Sequence, residues 1–200
     1  MADDMISLAV LGSTRGTHLS TLVSAIQENR LHAKITIVIS NKQDALILER
    51  AKSYGLVTQF IDASGLSREV YDEQVAQVLK AHDVSLIVLI GYMRILSQAF
   101  TEIFQHKIIN VHPSLLPAHA GKMDLAVHEA VLAAGEKETG CTVHYVTKEV
   151  DAGPIILQKK CAVLTSDTPL TLKARVQQLE GDALVEAINH VQSKAFSFCK

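Results

Sequence analysis

The strongest chemical signal in the sequence is an amide and an imidazole at the end of an apolar run. Asn110 and His112 follow Ile108 and Ile109, and Pro113 comes next. On a regular strand, residues two apart project from the same face. An amide can polarise a carbonyl oxygen and an imidazolium can donate a proton to it. The pair therefore suits a reaction that develops negative charge on a carbonyl oxygen, although polar residues that only end a strand give the same short pattern.

A second signal is an acidic residue between two predicted strands, Asp151 in the segment 149–154. A tight turn would explain Gly153 and Pro154 on ordinary conformational grounds. It explains Asp151 only in part, because a carboxylate beside a histidine favours the imidazolium and can hold a water for proton transfer. Both interpretations stay open at this point.

The elements that must position these residues follow from the alternation of apolar runs with helical periodicity. Strands are predicted over residues 6–11, 35–39, 57–61, 85–90, 107–111, 141–146 and 154–163. Helices are predicted over 17–27, 44–54, 67–81, 98–104, 125–134 and 170–190, and a loop over 112–121. The continuous apolar run at 85–90 is typical of the centre of a parallel sheet covered on both faces.

This order predicts an α/β fold: one doubly wound, Rossmann-like domain over residues 1–200, with a mostly parallel central sheet and added C-terminal strands and a helix. In such sheets ligands bind outside the carboxyl ends of the strands, where Asn110 and His112 lie. Thr17 is predicted to cap the first helix and Pro169 to lie in the first turn of the last one. The inward residues predicted for the helix over 67–81 are Val70, Val75, Val78 and Leu79.

Several segments resemble the folate-dependent formyltransferase family. Residues 110–117 read Asn-Val-His-Pro-Ser-Leu-Leu-Pro, residues 91–96 read Gly-Tyr-Met-Arg-Ile-Leu, and residues 142–155 match a third motif of that family. Residues 40–45, 67–72 and 174–180 are similar to the branch that acts on glycinamide ribonucleotide. The resemblance runs from the first strand to about Glu186, and its specificity comes from the combined order and spacing of the motifs.

The resemblance implies that Asn110, His112 and Asp151 form the catalytic trio. The implied reaction passes a formyl group from the co-substrate 10-formyltetrahydrofolate to the amine of glycinamide ribonucleotide, in purine biosynthesis. Asn110 and a protonated His112 would stabilise the oxyanion, and Asp151 would support the imidazolium and assist proton transfer. No metal is implied.

The resemblance also implies two sets of binding residues. Those for glycinamide ribonucleotide are Gly16, Thr17, His18 and Glu180. Those for the folate are Arg68, Met93, Arg94, Ile95, Leu96, Asn110 and Val150. In the family, backbone groups of the Met-Arg-Ile-Leu segment bind the pterin, and the arginine meets the anionic glutamate tail. His144 is expected beside the trio, whereas His119 and His128 are expected to be surface or helix histidines.

The chain departs from the family pattern in two loops. Thr14 replaces a glycine and His18 an asparagine in the first loop, although Gly16 and the hydroxyl of Thr17 are kept. A loop that leads into a helix N-terminus still offers backbone N–H groups to a phosphate, and Arg15 adds charge; a plain strand-to-helix turn is the alternative. Residues 118–124 also differ from the family, and Gly181 stands where a histidine is frequent.

Composition narrows the classes of protein that remain. The net charge of −2 does not suit a nucleic-acid partner. Three widely spaced cysteines, Cys141, Cys161 and Cys199, indicate reduced thiols rather than a disulfide framework, and no segment reads as a signal peptide or a membrane helix. We therefore expect a soluble, cytoplasmic protein, monomeric or homodimeric, that binds small molecules.

Three rival interpretations remain from the sequence. Methionyl-transfer-RNA formyltransferases carry an extra C-terminal domain and the deformylases an N-terminal regulatory one, for which we expect no room in 200 residues. A non-catalytic nucleotide-binding module could use the same type of sheet. The presence of all three residues of the trio disfavours it, because a binding module has no need of them.

Overall fold

The computed structural model describes the backbone of residues 5–197 and the side chains of residues 5–194. The acidic start of the chain and Cys199 lie outside the described residues. The strands are β1 (Ile6–Leu11), β2 (Ala33–Ser40), β3 (Thr58–Phe60), β4 (Leu86–Leu89), β5 (Ile108–His112), β6 (Glu138–Tyr145) and β7 (Ile155–Ala162). The helices are α1 (Thr17–Gln27), α2 (Leu46–Ser53), α3 (Arg68–Ala81), α4 (Gln98–Ile103), α5 (Leu125–Ala133) and α6 (Pro169–Ser197).

The strands form a seven-stranded sheet in the order β3-β2-β1-β4-β5-β6-β7. β1 pairs in parallel with β2 and β4, β2 pairs in parallel with β3, and β6 pairs antiparallel with β7. This confirms the predicted α/β class and its mostly parallel sheet. Backbone contacts divide the chain into two compact units, residues Met1–Ile109 and Asn110–Lys200. The expectation of a single domain stays a prediction.

The first unit is built on the buried strands β1, β2 and β4. All four residues of β4 are buried, as expected for the centre of a parallel sheet. Leu11 is in register with Ile39 and with Leu89, so β1, β2 and β4 end at the same level. The loops that follow these three strands, 12–16, 41–45 and 90–97, therefore begin at one edge of the sheet.

The second unit combines the end of β5 with α5, the β6–β7 hairpin and α6, which packs against α5, β6 and β7. β6 is buried along most of its length, whereas exposure varies along β7. The register of the hairpin shifts between Val143 and His144. Such an irregularity changes the direction of the following side chains and is common near binding sites.

Most predicted elements are observed with small differences at their ends. β1 and α1 have the predicted bounds, β5 begins and ends one residue later than predicted, and α6 extends past residue 190 to Ser197. The prediction that Thr17 caps α1 was wrong, because Gly16 is the N-cap and Thr17 is already helical. Pro169 is the first residue of α6, as predicted. No helix among the described residues is long and apolar enough to span a membrane.

The inward face predicted for α3 was partly wrong. Val75 and Leu79 are buried, but Val70 is 45% exposed. Tyr71 and Asp72 are buried in its place. Position 72 has the helical spacing of the buried Val75 and Leu79, but the hydrophobicity criterion does not assign an aspartate to the core.

Candidate active site

The candidate site is centred on a histidine and an aspartate of the second unit. Nδ1 of His112 lies 3.3 Å from Oδ2 of Asp151, and their side chains are 4% and 10% exposed. His112 is the last residue of β5, and Asp151 lies in the turn between β6 and β7. The structure therefore brings together the two side chains that the sequence separates by 38 intervening residues (112 to 151).

Asn110 joins this pair through His144. Nδ2 of Asn110 lies 3.4 Å from Nε2 of His144, which in turn lies 3.7 Å from Oδ1 of Asp151. Asn110 and His112 are alternate residues of β5, so both project from the same face, as predicted. The four side chains form one polar cluster within the second unit.

His144 fixes the orientation of the Asn110 amide. Nδ1 of His144 lies 2.9 Å from the carbonyl oxygen of Tyr145, which requires a proton on Nδ1. In the neutral ring Nε2 is then an acceptor, so the Asn110 amide must present its N–H group to it. An amide nitrogen carries two N–H groups, and the second one can donate to a carbonyl oxygen of a ligand.

Asp151 is both a turn residue and a partner of the histidines. Its backbone has a φ of 55°, a left-handed conformation that aspartate tolerates better than most residues. Its Oδ2 atom also accepts a hydrogen bond of 2.8 Å from the backbone N–H of Gly121. The two sequence interpretations of Asp151 are therefore compatible, because the turn aims its carboxylate at β5 and at the loop over residues 113–124.

Burial sets the protonation state of the two histidines. It lowers the pKa of His112, and the opposing effect of the Asp151 carboxylate does not outweigh it. Burial likewise lowers the pKa of His144. The Asp151 carboxylate acts in the predicted direction and favours the imidazolium, but burial of His112 has the larger effect and lowers its pKa.

The second ring nitrogen of His112 does not face Asp151, and the backbone of His119 acts on the ring to raise its pKa. Its Nε2 atom is buried without a hydrogen-bond partner among the described residues. Because Nδ1 faces the carboxylate of Asp151, the neutral tautomer with its proton on Nδ1 is favoured. Nε2 is then a proton acceptor that, once protonated, becomes a donor.

The proline-bearing loop after β5 is held by side chains from the hairpin. Thr142 Oγ1 donates to the carbonyl oxygen of Ser114 at 2.7 Å and accepts from the N–H of Leu116 at 2.9 Å. Gln158, opposite Thr142 in the hairpin, donates to the carbonyl oxygen of Leu116 at 2.9 Å. These buried contacts fix the start of the loop that follows His112.

The second unit contains two further residues near this cluster. The predicted Glu180 is buried on α6, and its charge acts to raise the pKa values of both His112 and His128. His128 is 1% exposed, and its Nδ1 atom has no hydrogen-bond partner within the described part of the chain. His128 is a helix histidine, as expected, but its burial was not predicted from the sequence. The signal for it was the presence of the apolar residues Val127 and Val131 on the same part of α5. His119 instead pairs with Glu136 at 2.8 Å.

The first loop carries the residues predicted for the phosphate end. Gly16 has a φ of 63°, and a Cβ atom there would lie 2.3 Å from Cγ1 of Ile47. Only glycine fits both constraints. Helix α1 begins at Thr17 without a side-chain cap, and His18 is buried. A cleft of about 230 Å³ beside this loop is lined by Ser13, Thr14, Arg15, Lys42, Asp44, Ala45 and Leu46.

The residues predicted for the folate lie in both units. Met93 and Ile95 of the first unit are 45% and 53% exposed, whereas Leu96 is buried. The guanidinium carbon of Arg94 lies 4.4 Å from the ring centroid of Tyr71, and Arg68 is the exposed first residue of α3. In the second unit, Val150 is 53% exposed, and Asn110 belongs to the cluster described above. Among the side chains of residues 5–194, no group of three or more histidine, cysteine, aspartate or glutamate residues is arranged to hold a metal ion.

Comparison with known proteins assigns the chain to a family. The sequence profile of the formyl transferase family matches residues 6–188. The chain is 39% identical to the phosphoribosylglycinamide formyltransferase of Escherichia coli strain K12, over 88% of this chain and 82% of that protein. It is 42% identical to the trifunctional purine biosynthetic protein adenosine-3 of Gallus gallus, over 95% of this chain but only 19% of that longer protein.

The fold agrees with this assignment. The glycinamide ribonucleotide transformylase 1 of Symbiobacterium toebii superposes with a TM-score of 0.87 at 40% identity, covering 92% of this chain and 86% of that one. The chain belongs to the formyl transferase family, which confirms the resemblance inferred from the motifs. It is a formyltransferase in the sense in which that family is defined.

Proposed function

We propose that this protein transfers a formyl group from 10-formyltetrahydrofolate to the amine of glycinamide ribonucleotide, in purine biosynthesis. The observation that carries the proposal is the cluster of Asn110, His112, His144 and Asp151, in which an amide donor and an unpartnered imidazole nitrogen are held by buried contacts. The names of the relatives in Escherichia coli and Symbiobacterium toebii support the choice of acceptor.

The proposed chemistry is a balanced acyl transfer. The neutral amine of glycinamide ribonucleotide attacks the formyl carbon, a new C–N bond forms, and the bond from that carbon to N10 of the folate breaks. The amine loses one proton and N10 gains one, so the products are formylglycinamide ribonucleotide and tetrahydrofolate. Negative charge develops on the formyl oxygen, and a positioned N–H group such as that of Asn110 stabilises it.

His112 moves a proton in this scheme. Its Nε2 atom takes up a proton as the attack proceeds, and the resulting imidazolium donates to the oxyanion. The imidazolium forms beside Asp151, whose carboxylate favours it electrostatically. The lowering of the His112 pKa by burial therefore favours the reaction, since a neutral ring can accept a proton and a charged one cannot.

The binding residues in the proposal are those implied by the family resemblance. An uncapped helix start at Thr17 suits the phosphate of glycinamide ribonucleotide, because backbone N–H groups and the positive end of the helix dipole meet the anion. Glu180 is proposed to bind the ribose or amine. The folate is proposed to use Met93, Arg94, Ile95, Leu96, Asn110 and Val150, with Arg68 at its glutamate tail. A cytoplasmic location and a monomeric or homodimeric state belong to the same proposal.

The test is an assay of tetrahydrofolate formation from 10-formyltetrahydrofolate by the purified protein. We expect formation that depends on added glycinamide ribonucleotide. Water alone and a methionyl-transfer-RNA acceptor serve as controls. Tetrahydrofolate release without any acceptor would identify a deformylase and overturn the proposal, as would transfer to the transfer RNA alone.

A further inference from the structure

The segment over residues 91–97 is anchored at both ends by buried polar side chains of the first unit. Ser13 is 3% exposed, and its Oγ atom accepts a hydrogen bond of 2.9 Å from the backbone N–H of Met93. Asp72 is 1% exposed, and its Oδ2 atom accepts one of 2.5 Å from the backbone N–H of Ser97. Each anchor therefore binds the backbone of this segment rather than a side chain.

The backbone groups between the two anchors form no hydrogen bonds with the described residues. Within the described part of the chain, no hydrogen bond engages the backbone groups of Arg94, Ile95 or Leu96. Backbone N–H and C=O groups seldom stay unpaired unless water or a ligand reaches them. A stretch held at both ends, with unpaired groups between, can therefore present donors and acceptors to a flat heterocycle at a fixed spacing.

Asp72 lies within a larger buried cluster. The guanidinium of Arg94 stacks on the ring of Tyr71, the residue before Asp72. Burial raises the pKa of the Asp72 carboxyl, and the charges of Arg94 and Arg68 act against that shift. Oδ1 of Asp72 and Nε of Arg94 are buried without a hydrogen-bond partner among the described residues. A buried carboxylate with one unpaired oxygen costs free energy, so its retention calls for a role beyond packing.

We infer that Asp72 is a positioning residue for the folate, acting through the Met93–Leu96 segment that it anchors at Ser97. Its Oδ2 atom fixes Ser97, whose own Oγ caps α4 by accepting from the N–H of Phe100 at 3.3 Å. Without that contact the C-terminal end of the segment loses its link to α3, whereas the contacts of Ser13 with Gly91 and Met93 remain at the other end. The free backbone groups between them then lose their spacing. The inference rests on the proposed function in one respect, since it takes the folate as the ligand of this segment.

The experiment compares Asp72→Ala with Asp72→Asn and with Glu73→Ala, a change of the exposed neighbour on the same helix. Asparagine keeps an acceptor oxygen for the N–H of Ser97 without a buried charge, whereas alanine removes it. For each variant, the KM values for both substrates and kcat are measured, and binding of folic acid is followed by calorimetry. Circular dichroism and thermal unfolding show whether each variant is folded.

We expect Asp72→Ala to raise both the KM for the formyl-folate donor and the Kd for folic acid about tenfold or more, as for loss of one hydrogen bond to a buried charged group. The KM for glycinamide ribonucleotide should stay within about twofold, and Asp72→Asn and Glu73→Ala should resemble the parent.

Equal changes in both KM values, or a folded Asp72→Ala with unchanged folate binding, would overturn the inference. If Asp72→Ala does not fold, Asp72→Asn still decides, because weakened folate binding there would contradict a role based on the acceptor oxygen. A parent protein that binds folic acid but transfers no formyl group would refute the proposed function alone.

Discussion

Nδ1 of His112 and Oδ2 of Asp151 lie 3.3 Å apart, and both side chains are almost fully buried. The carboxylate favours the imidazolium, yet burial lowers the pKa of His112 below its usual value of 6.5. The pair therefore suits an imidazolium of His112 that forms during a reaction, rather than one that is present before it. This balance of burial against one carboxylate determines what several variants should do.

Removal of either donor at the end of β5 should impair the chemical step. We expect Asn110→Ala and His112→Ala each to lower kcat about 10²-fold or more, as for loss of an oxyanion donor or a general acid–base. His190→Ala, a change of an exposed histidine on α6, serves as the control. The measurement is formyl transfer at saturating substrates with folded proteins. Near-normal kcat in either variant would exclude that residue from the reaction.

Loss of the Asp151 charge should shift the pH dependence of the rate. Because the carboxylate acts to raise the pKa of His112, Asp151→Asn should lower that pKa further. The imidazolium formed in the reaction then becomes less stable, so kcat should fall at neutral pH and recover in part as the pH is lowered. Protonation of the amine limits the recovery. The measurement is kcat against pH for both proteins, and identical profiles would leave Asp151 with only its role in the turn.

The exposed cation of the first loop should matter to one substrate only. We expect Arg15→Ala to raise the KM for glycinamide ribonucleotide several-fold and to leave the KM for the folate within about twofold, because the loop is proposed to face the phosphate. Arg30→Ala is the matched control, since Arg30 is also exposed and pairs with the exposed Glu28. An effect confined to the folate would mean that the two ends of the site are assigned in reverse.

Gly16 should be required for stability as well as for binding. Gly16→Ala adds a Cβ atom 2.3 Å from the Ile47 side chain and also places a Cβ atom on a left-handed backbone. Gly55→Ala also places a Cβ atom on a left-handed backbone, but it causes no steric clash, because nothing lies within 4 Å of that atom. We expect Gly55→Ala to lose about 1 kcal/mol of unfolding free energy and Gly16→Ala clearly more. Chemical denaturation measures both, and equal losses would show that Ile47 moves aside freely.

The buried histidines should make the fold sensitive to acid. Burial lowers the pKa values of His112, His128 and His144 in the folded state, whereas the unfolded chain titrates near 6.5. Below that pH the unfolded state binds more protons, so unfolding free energy should fall as pH drops through 6.5, by at most about 1.4 kcal/mol per pH unit for each histidine.

His128→Gln tests this expectation because it removes one titrating group outside the proposed trio. The slope of unfolding free energy against pH should be shallower in His128→Gln than in the parent. Denaturation curves at several pH values near and below 6.5 measure the slopes. An unchanged slope in His128→Gln would show that this histidine keeps its ordinary pKa despite its burial.

The sequence by itself determined the features that depend on local pattern. The bounds of β1 and α1 follow from apolar runs and helical periodicity, and the projection of Asn110 and His112 from one face follows from their spacing on a strand. The family assignment also came from sequence alone, because its motifs keep their order and spacing over nearly the whole chain.

Only the tertiary structure decided the features that depend on what surrounds a residue. The sequence indicated that the Asp151 carboxylate favours the imidazolium of His112, but it could not weigh that attraction against burial, which depends on all neighbouring elements at once. It placed Val70 rather than Asp72 in the core, because hydrophobic patterning cannot recognise a buried carboxylate that serves as a hydrogen-bond acceptor for a distant backbone N–H. It chose Thr17 over Gly16 as the helix cap, because the side chain of Ile47, 31 positions further along (16 to 47), is what excludes a Cβ atom there.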